Sequence, residues 1–225
     1  ELLSLSEDIM NENLSSFKER IIKQRVAVIG LGASNTSLVE YLGKLGVNLT
    51  VFDQGTREDL KDRIEAVKDY NIDFCLGGHQ LSRLKGFDVI FKTPVIRPDI
   101  PELSEEQKNG AVVTSEMEVF FDLCPAEIFA VTGSDGKTTT SAIIYEFLKE
   151  AGYHCLLGGN TGTPLLSRID EVRPEHKIVL ELSSFQLMTM KKSPQVAVIT
   201  NIFPNHLDMY KSMEEYLEAK KNIYR

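Results

Sequence analysis

Residues 130–140, Ala-Val-Thr-Gly-Ser-Asp-Gly-Lys-Thr-Thr-Thr, constrain this chain more than any other stretch. An apolar run, Ile128 to Val131, leads into it, and a helical pattern, Ser141 to Ala151, leads out. Strand, glycine-rich turn, Gly-Lys-Thr and helix is the layout of a phosphate-binding loop. Backbone N–H groups at a helix start carry partial positive charge and point outward at an anion. Gly133 and Gly136 allow the close backbone approach that a β-carbon would block. Lys137 has the reach to lie between β- and γ-phosphates, and the Thr138 hydroxyl is placed to ligate Mg²⁺. The residues expected to contact such a polyphosphate are therefore Gly133, Ser134, Asp135, Gly136, Lys137, Thr138 and Thr139. The commonest form of the motif has a glycine six residues before the lysine, where this chain has Val131, so the loop is a tighter version. The bland alternative is an ordinary strand–helix turn with a chance lysine. The coincidence of strand context, both glycines and Lys-Thr argues against it.

The remaining composition bounds the partners. The chain has 225 residues, room for one large or two ordinary domains. Its net charge of −8 argues against nucleic acid as a general partner, because phosphate-backbone affinity needs clustered Lys and Arg. Anionic ligands must then be held by local devices such as helix starts and Mg²⁺. No apolar run approaches a membrane span, so no membrane insertion is expected. The cysteines Cys75, Cys124 and Cys155 are three in number and widely spaced. They form neither a zinc pattern nor a disulfide framework and read as buried free thiols in a reducing cytosol.

Upstream of the loop, residues 8–24 read as an amphipathic helix, and Arg25 to Ile29 as a β-branched strand ending in Gly30-Leu31-Gly32-Ala33-Ser34-Asn35. A helix pattern, Thr36 to Leu45, and a second strand, Val47 to Phe52, deliver Asp53. A G-x-G after a strand with an acid about 20 residues on, at the end of the next strand, resembles a dinucleotide-binding βαβ unit. Asn35 stands where the fingerprint has its third glycine. A nucleotide-type ligand is one reading; a plain α/β turn with Asp53 as a strand cap is the other. Short strands and helices then alternate (helix 57–70, strands 73–76 and 87–91, helix 104–109, strand 111–114, helix 116–122), which implies parallel sheets covered on both faces.

Downstream, Tyr153 to Leu157 reads as a strand ending in Gly158-Gly159-Asn160-Thr161-Gly162. Lys177 to Leu180 delivers Glu181, Gln195 to Thr200 leads to Asn205-His206-Leu207-Asp208, and a helix follows from Ser212. Ligands of open parallel sheets sit at the carboxyl ends of strands, which is where Asn160, Glu181 and His206 lie. A carboxylate there suits a Mg-nucleotide site. On chemistry alone His206 is as readable as a packed residue, and Lys220 as a solvated helix lysine.

The runs T-G-S-D-G-K-T-T-T, G-G-N-T-G, L-E-L-S-S-F-Q-L, T-N-I-F-P-N-H-L-D-M-Y and S-M-E-E-Y-L-E-A-K, in this order and spacing, resemble the ATP-dependent Mur ligases of peptidoglycan synthesis. Ser-Ser-Phe-Gln after Glu181 is the form of the branch that adds D-glutamate. The resemblance covers the chain from Arg25 onward. It implies an α/β protein with a Rossmann-like parallel-sheet N-terminal domain, residues 1–118, followed by a P-loop NTPase-like central domain, residues 119–225. It implies that the central domain is incomplete and that a C-terminal D-glutamate-binding domain is absent, so the chain by itself is expected to be inactive. The implied substrates are UDP-N-acetylmuramoyl-L-alanine, D-glutamate and ATP with two Mg²⁺ ions, in a cytoplasmic, monomeric enzyme proceeding through an acyl phosphate.

Residue by residue, the resemblance assigns Gly32, Ala33 and Ser34 to the diphosphate and uracil, and Asp53 and Gln54 to the uracil. It assigns Asn160 and His206 to the nucleotide-sugar, and Thr138, Glu181, His206 and an N-carboxylated Lys220 to metal. Lys137, His206 and Lys220 form the implied catalytic set. Two positions depart from the family pattern: Thr93-Pro94-Val95 stands where S-P-G is usual, and Asn205 where an acid precedes the histidine. The rivals are a P-loop metabolite kinase or ATPase, and a non-catalytic nucleotide-sugar-binding fragment. A folylpolyglutamate synthase would lack the first domain, and a dehydrogenase would leave the P-loop unexplained.

Overall fold

The computed structural model describes residues 13–78, 80–160, 164–205 and 209–225. The chain divides into two compact units, Glu1–Leu123 and Cys124–Arg225.

The first unit opens with helix α1 (Leu14–Ile21), capped by the Asn13 side chain and burying Phe17 and Ile21. Its sheet holds β1 (Arg25–Ile29), β2 (Asn48–Asp53), β3 (Ile72–Leu76), β4 (Val89–Lys92) and β5 (Val112–Thr114), all parallel, in the order β3-β2-β1-β4-β5. Val26 to Ile29 of β1 are all buried, as a central strand covered on both faces requires. The connecting helices are α2 (Ala33–Lys44), α3 (Lys61–Ala66) and α4 (Pro101–Lys108), and α5 (Glu116–Leu123) follows β5. Pro101 at the first turn of α4 explains why that helix begins earlier than its periodicity suggests. The expected long helix over 57–70 contracts to α3, which buries none of its residues. Among its described residues the link from β3 to β4 carries a 3₁₀ turn, Gln80–Arg83, and no α-helix. Leu84 and Phe87 of that link pack with Ala27, Ile29, Phe52, Cys75, Ile90 and Leu103 on one face of the sheet.

The second unit is built on β6 (Glu127–Thr132), β7 (Cys155–Gly159), β8 (Lys177–Glu181) and β9 (Val196–Ile199), parallel in the order β7-β8-β6-β9. Helix α6 (Lys137–Glu150) follows β6, α7 (Ser184–Leu187) follows β8, and α8 (Met213–Lys221) runs toward Arg225. Within α6 only Ser141 is buried, and Phe147 is 72% exposed. In both sheets the strand order reverses at the first strand, β1 or β6, and a crevice at such a reversal is where α/β sheets bind ligands.

All three cysteines are free. Cys75 is buried as expected, but Cys124 and Cys155 are only half-buried, and burial pushes the Cys124 thiol up to about 11. Among the described residues no helix is long and apolar enough to cross a membrane.

Asn35 accounts for the missing third glycine. Its buried amide donates to the carbonyls of Ile29 (3.1 Å) and Gly30 (2.8 Å), tying α2 to the end of β1. Asn35→Gly removes both bonds and adds a flexible residue to the helix. The expected loss is about 2–3 kcal/mol, from two bonds of ~1 kcal/mol each and ~1 kcal/mol of helix propensity. Urea unfolding of the chain measures it.

Candidate functional site

Each unit carries candidate residues at the carboxyl ends of its strands. In the first, Gly32 caps α2 with extended backbone, and Gly32, Ala33 and Ser34 are exposed. Asp53, at the end of β2, uses both carboxylate oxygens on the backbone. Oδ2 accepts from Leu31 N at 2.6 Å and Oδ1 from Gly55 N at 2.8 Å. The Arg63 guanidinium then donates to Leu31 O at 2.6 Å. Asp53 therefore shapes the Gly30–Gly32 turn, and Gln54 beside it is exposed. Lys92, buried at the end of β4, has its ammonium pKa lowered by burial, with Glu118 opposing the shift. Val95, at the departure from S-P-G, is 57% exposed.

In the second unit β6 enters a loop that neighbouring elements hold from several sides. Helix α6 starts directly at Lys137, four residues earlier than its apolar pattern suggests, so the loop and helix form one device. Gly133 approaches so close to the end of β9 that a β-carbon on it would lie 1.9 Å from Thr200 Oγ1. Ser134 N donates to Asn201 O (3.0 Å), and Asp135 N donates to Asn201 Oδ1 (2.9 Å). Thr200 Oγ1 and Asn201 Nδ2 both donate to Asp135 O, at 2.6 and 3.0 Å. The Ser134 hydroxyl lies 2.8 Å from the buried Tyr216 hydroxyl of α8 and also accepts from Phe203 N at 2.8 Å.

Two lysines converge behind this loop. Lys137 Nζ donates to Gly133 O (3.0 Å) and Ser134 O (2.9 Å). Lys220 Nζ, on α8 and 1% exposed, donates to the same Gly133 O at 2.8 Å and to Thr132 Oγ1 at 3.3 Å. Its ammonium also lies 4.9 Å from the centre of the Tyr216 ring. Burial first, and the neighbouring Lys137 second, bring Lys220 down to about 8. Lys220 is thus a buried group facing the loop and not the solvated lysine that its sequence position allowed.

Glu181 closes the arrangement. It is 2% exposed, accepting from Thr138 Oγ1 through Oε2 (2.7 Å) and from Asn160 Nδ2 through Oε1 (3.0 Å). Asn160 reaches it because β7 runs two residues further than its apolar run suggests, so Gly158 and Gly159 are strand residues. Gly159 pairs with Glu181, and a β-carbon there would lie 2.1 Å from Glu181 O. Thr138 and Glu181 offer hard oxygens, a donor set that suits Mg²⁺ held jointly with phosphates and water. Among the described residues no group of three His, Cys, Asp or Glu side chains could hold a metal without such help. Gly136 caps α6, and Thr139 is exposed on its first turn. His206 lies outside the described residues.

The brace by Thr200, Asn201, Phe203 and Tyr216 is what a motif-based reading misses. The run T-N-I-F is visible in the sequence, but nothing local shows that its polar groups turn back onto a loop 66 residues away. The structure separates two neighbours that the motif treats alike. Ser134→Ala strips partners from a buried tyrosine hydroxyl and a backbone N–H, at an expected cost of about 1–3 kcal/mol. Asp135→Ala touches an exposed side chain and is expected to stay within about 0.5 kcal/mol of the parent. Thermal unfolding of both variants checks the contrast.

Residues 24–115 match the family described as Mur ligase MurD-like, N-terminal domain, and residues 131–225 match the Mur ligase middle domain. The chain is 58% identical, over 216 residues, to the UDP-N-acetylmuramoylalanine--D-glutamate ligase of Acetivibrio thermocellus, covering 96% of this chain and 46% of that protein. It is 54% identical to the protein of the same name from Clostridium acetobutylicum, covering 96% of this chain and 47% of that one. The chain thus spans about half the length of the curated relatives it matches. A solved structure similar in fold is the UDP-N-acetylmuramate:L-alanyl-gamma-D-glutamyl-meso-diaminopimelate ligase from Neisseria meningitides. Its TM-score is 0.56 at 18% identity, over 89% of this chain and 67% of that one. With a MurD-like N-terminal domain and a Mur ligase middle domain together accounting for most of its length, the chain belongs to the Mur ligase family.

Proposed function

We propose that this chain supplies the nucleotide-sugar-binding and ATP-binding parts of an ATP-dependent ligase that adds D-glutamate to UDP-N-acetylmuramoyl-L-alanine in peptidoglycan synthesis. The enzyme acts in the cytoplasm as a monomer. The observation that carries this reading is the pairing of Lys137 and Lys220 on Gly133 O, next to Glu181. A kinase or simple ATPase needs one phosphate-binding lysine. A second ammonium buried against the first is unfavourable unless it is converted to something else.

The chemistry follows from the residues. Lys137 leaves the loop carbonyls for the phosphates of ATP, and the loop N–H groups and the start of α6 hold the same anion. The γ-phosphoryl group passes to the alanyl carboxylate, forming an acyl phosphate and releasing ADP. The D-glutamate amine then attacks the acyl carbon, the amide forms, and inorganic phosphate leaves. Mg²⁺ held by Thr138 and Glu181 would offset charge on the transferred group. Lys220, its pKa lowered by burial, has access to the neutral amine that adds CO₂. The resulting carbamate is an anion with two oxygens, which a second Mg²⁺ shared with His206 would prefer to an ammonium. Gly32, Ala33 and Ser34 face the diphosphate, Asp53 and Gln54 the uracil, and Asn160 and His206 the sugar side.

Three measurements test the reading. Calorimetric titration of the chain is expected to give tighter binding of UDP-N-acetylmuramoyl-L-alanine than of NAD. Lys137→Ala is expected to weaken Mg-ATP by about tenfold or more while leaving the UDP-sugar unaffected, since a charge-assisted contact is worth ~1.5–3 kcal/mol. Tighter NAD binding, or ATP-dependent phosphorylation of a sugar hydroxyl, would replace the ligase with one of its rivals. In an enzyme of the relatives' full length, Lys220→Ala is expected to abolish ligation, and short carboxylic acids to restore part of it. Undiminished activity would remove Lys220 from the mechanism.

A further inference from the structure

Among the described residues the short link between β3 and β4 carries no α-helix. The link has to cross β2 and β1 to reach β4 and does so with a single 3₁₀ turn. A cavity of about 320 Å³ remains beside it. It is lined from Arg25 at the start of β1, Thr50 and Phe52 of β2, and Asp73 of β3, across to Phe87. Thr50 pairs with Asp73 and Phe52 with Cys75, so the lining residues sit in successive rows on one face. Gly32, Ala33 and Ser34 lie beyond the carboxyl end of β1, whereas the cavity reaches from Arg25 at the start of that strand to Phe52, which pairs with Ile29.

Its chemistry is uneven in an informative way. Thr50 and Asp73 are polar where a helix-covered sheet face would carry apolar side chains. The aromatic wall is Phe87, which stands edge-on to Phe52 with ring centres 5.6 Å apart. The Arg25 guanidinium lies 5.1 Å from the Phe87 ring centre and is held by Gly86 O at 2.8 Å. Arg83 and Lys85 also line the cavity, giving three cations against the single carboxylate of Asp73. Among the described residues the side chains of Arg83 and Lys85 have no hydrogen-bond or ion-pair partner. In a chain of net charge −8, two unpaired cations beside an aromatic-walled cavity are a local exception.

We propose that this cavity is a second ligand site, for a nucleoside monophosphate. The base lies against Phe87 and Phe52, the phosphate between Arg83 and Lys85, and the ribose hydroxyls against Asp73 and Thr50. The volume is at the lower end for small-molecule sites, which suits a mononucleotide and excludes a dinucleotide. Aromatic stacking and paired cation–phosphate contacts are the two contributions that such a ligand gains here. The site is independent of the ligase reading.

The test is a titration of the isotope-labelled chain with AMP, ribose 5-phosphate and inorganic phosphate, reading the backbone amides of Thr50, Asp73, Cys75 and Phe87 by NMR. AMP is chosen because it lacks the uracil expected at the other end of the sheet. Saturable shifts of these amides are expected with AMP, weaker ones with ribose 5-phosphate, and the weakest with phosphate. The double variant Arg83→Glu/Lys85→Glu, at two exposed positions, is expected to weaken AMP by roughly tenfold or more, as reversal of two phosphate contacts implies. Lys137→Ala is expected to leave these shifts unchanged, which separates the site from the P-loop. No saturable shift at millimolar AMP, equal affinity for phosphate alone, or indifference to the charge reversal would each overturn the proposal.

Discussion

A single carbonyl oxygen, that of Gly133, receives two lysine ammonium groups. Much of the second unit is arranged to make that possible. Strand β6 presents the carbonyl, α6 brings Lys137 back over it, and α8 delivers Lys220 from below through a buried Tyr216. Burial lowers the pKa of Lys220 first, and repulsion from the neighbouring Lys137 lowers it further. On the function proposed above, an anion at the loop would draw Lys137 away, lower the repulsion and give the N–H groups of the helix start their partner. The Asn201 brace keeps the backbone shape fixed while the lysine moves, which is the economy of a preorganised site.

The sequence foretells the sheets well and the crossings unevenly. The central parallel strands announce themselves by apolar runs, and burial on both faces means that no alternation has to be decoded, as in Val26 to Ile29 or Ile178 to Leu180. Boundaries slip where a local rule yields to a contact made elsewhere. Gly158 and Gly159 look like loop but are strand, because only glycine lets β7 lie against the Glu181 backbone. The region 57–70 looks like a long helix, yet only Lys61–Ala66 is helical and none of it is buried. Propensity without a packing surface does not hold a helix.

Site residues divide along the same line. Gly133, Lys137 and Thr138 can be found from sequence because their roles are local to one turn. Glu181 and Asn160 are legible as strand ends, but their mutual hydrogen bond depends on the register of β7 with β8, which no single segment specifies. Asp53 reads equally well as ligand contact or structural cap. Its two oxygens take the backbone of Leu31 and Gly55, a structural duty that leaves lone pairs free for a further donor. Asn35 shows why a missing motif glycine is not a defect: its amide supplies two bonds that a glycine could not.

The brace on the loop also sets a schedule. Asn201 lies 66 residues after Asp135 along the chain, and Lys220 lies 87 after Gly133. At about 5–20 residues per second, a ribosome adds the first interval in roughly 3–13 s. Throughout that time β6 and its glycine-rich turn exist without β9, without Asn201 and without either clamp from α8. The first unit's sheet, complete by Thr114, has no such dependence on later residues. The braced geometry of the loop is thus acquired later in synthesis than the sheet of the first unit. A translational pause anywhere between the two positions prolongs the exposure of β6 in direct proportion.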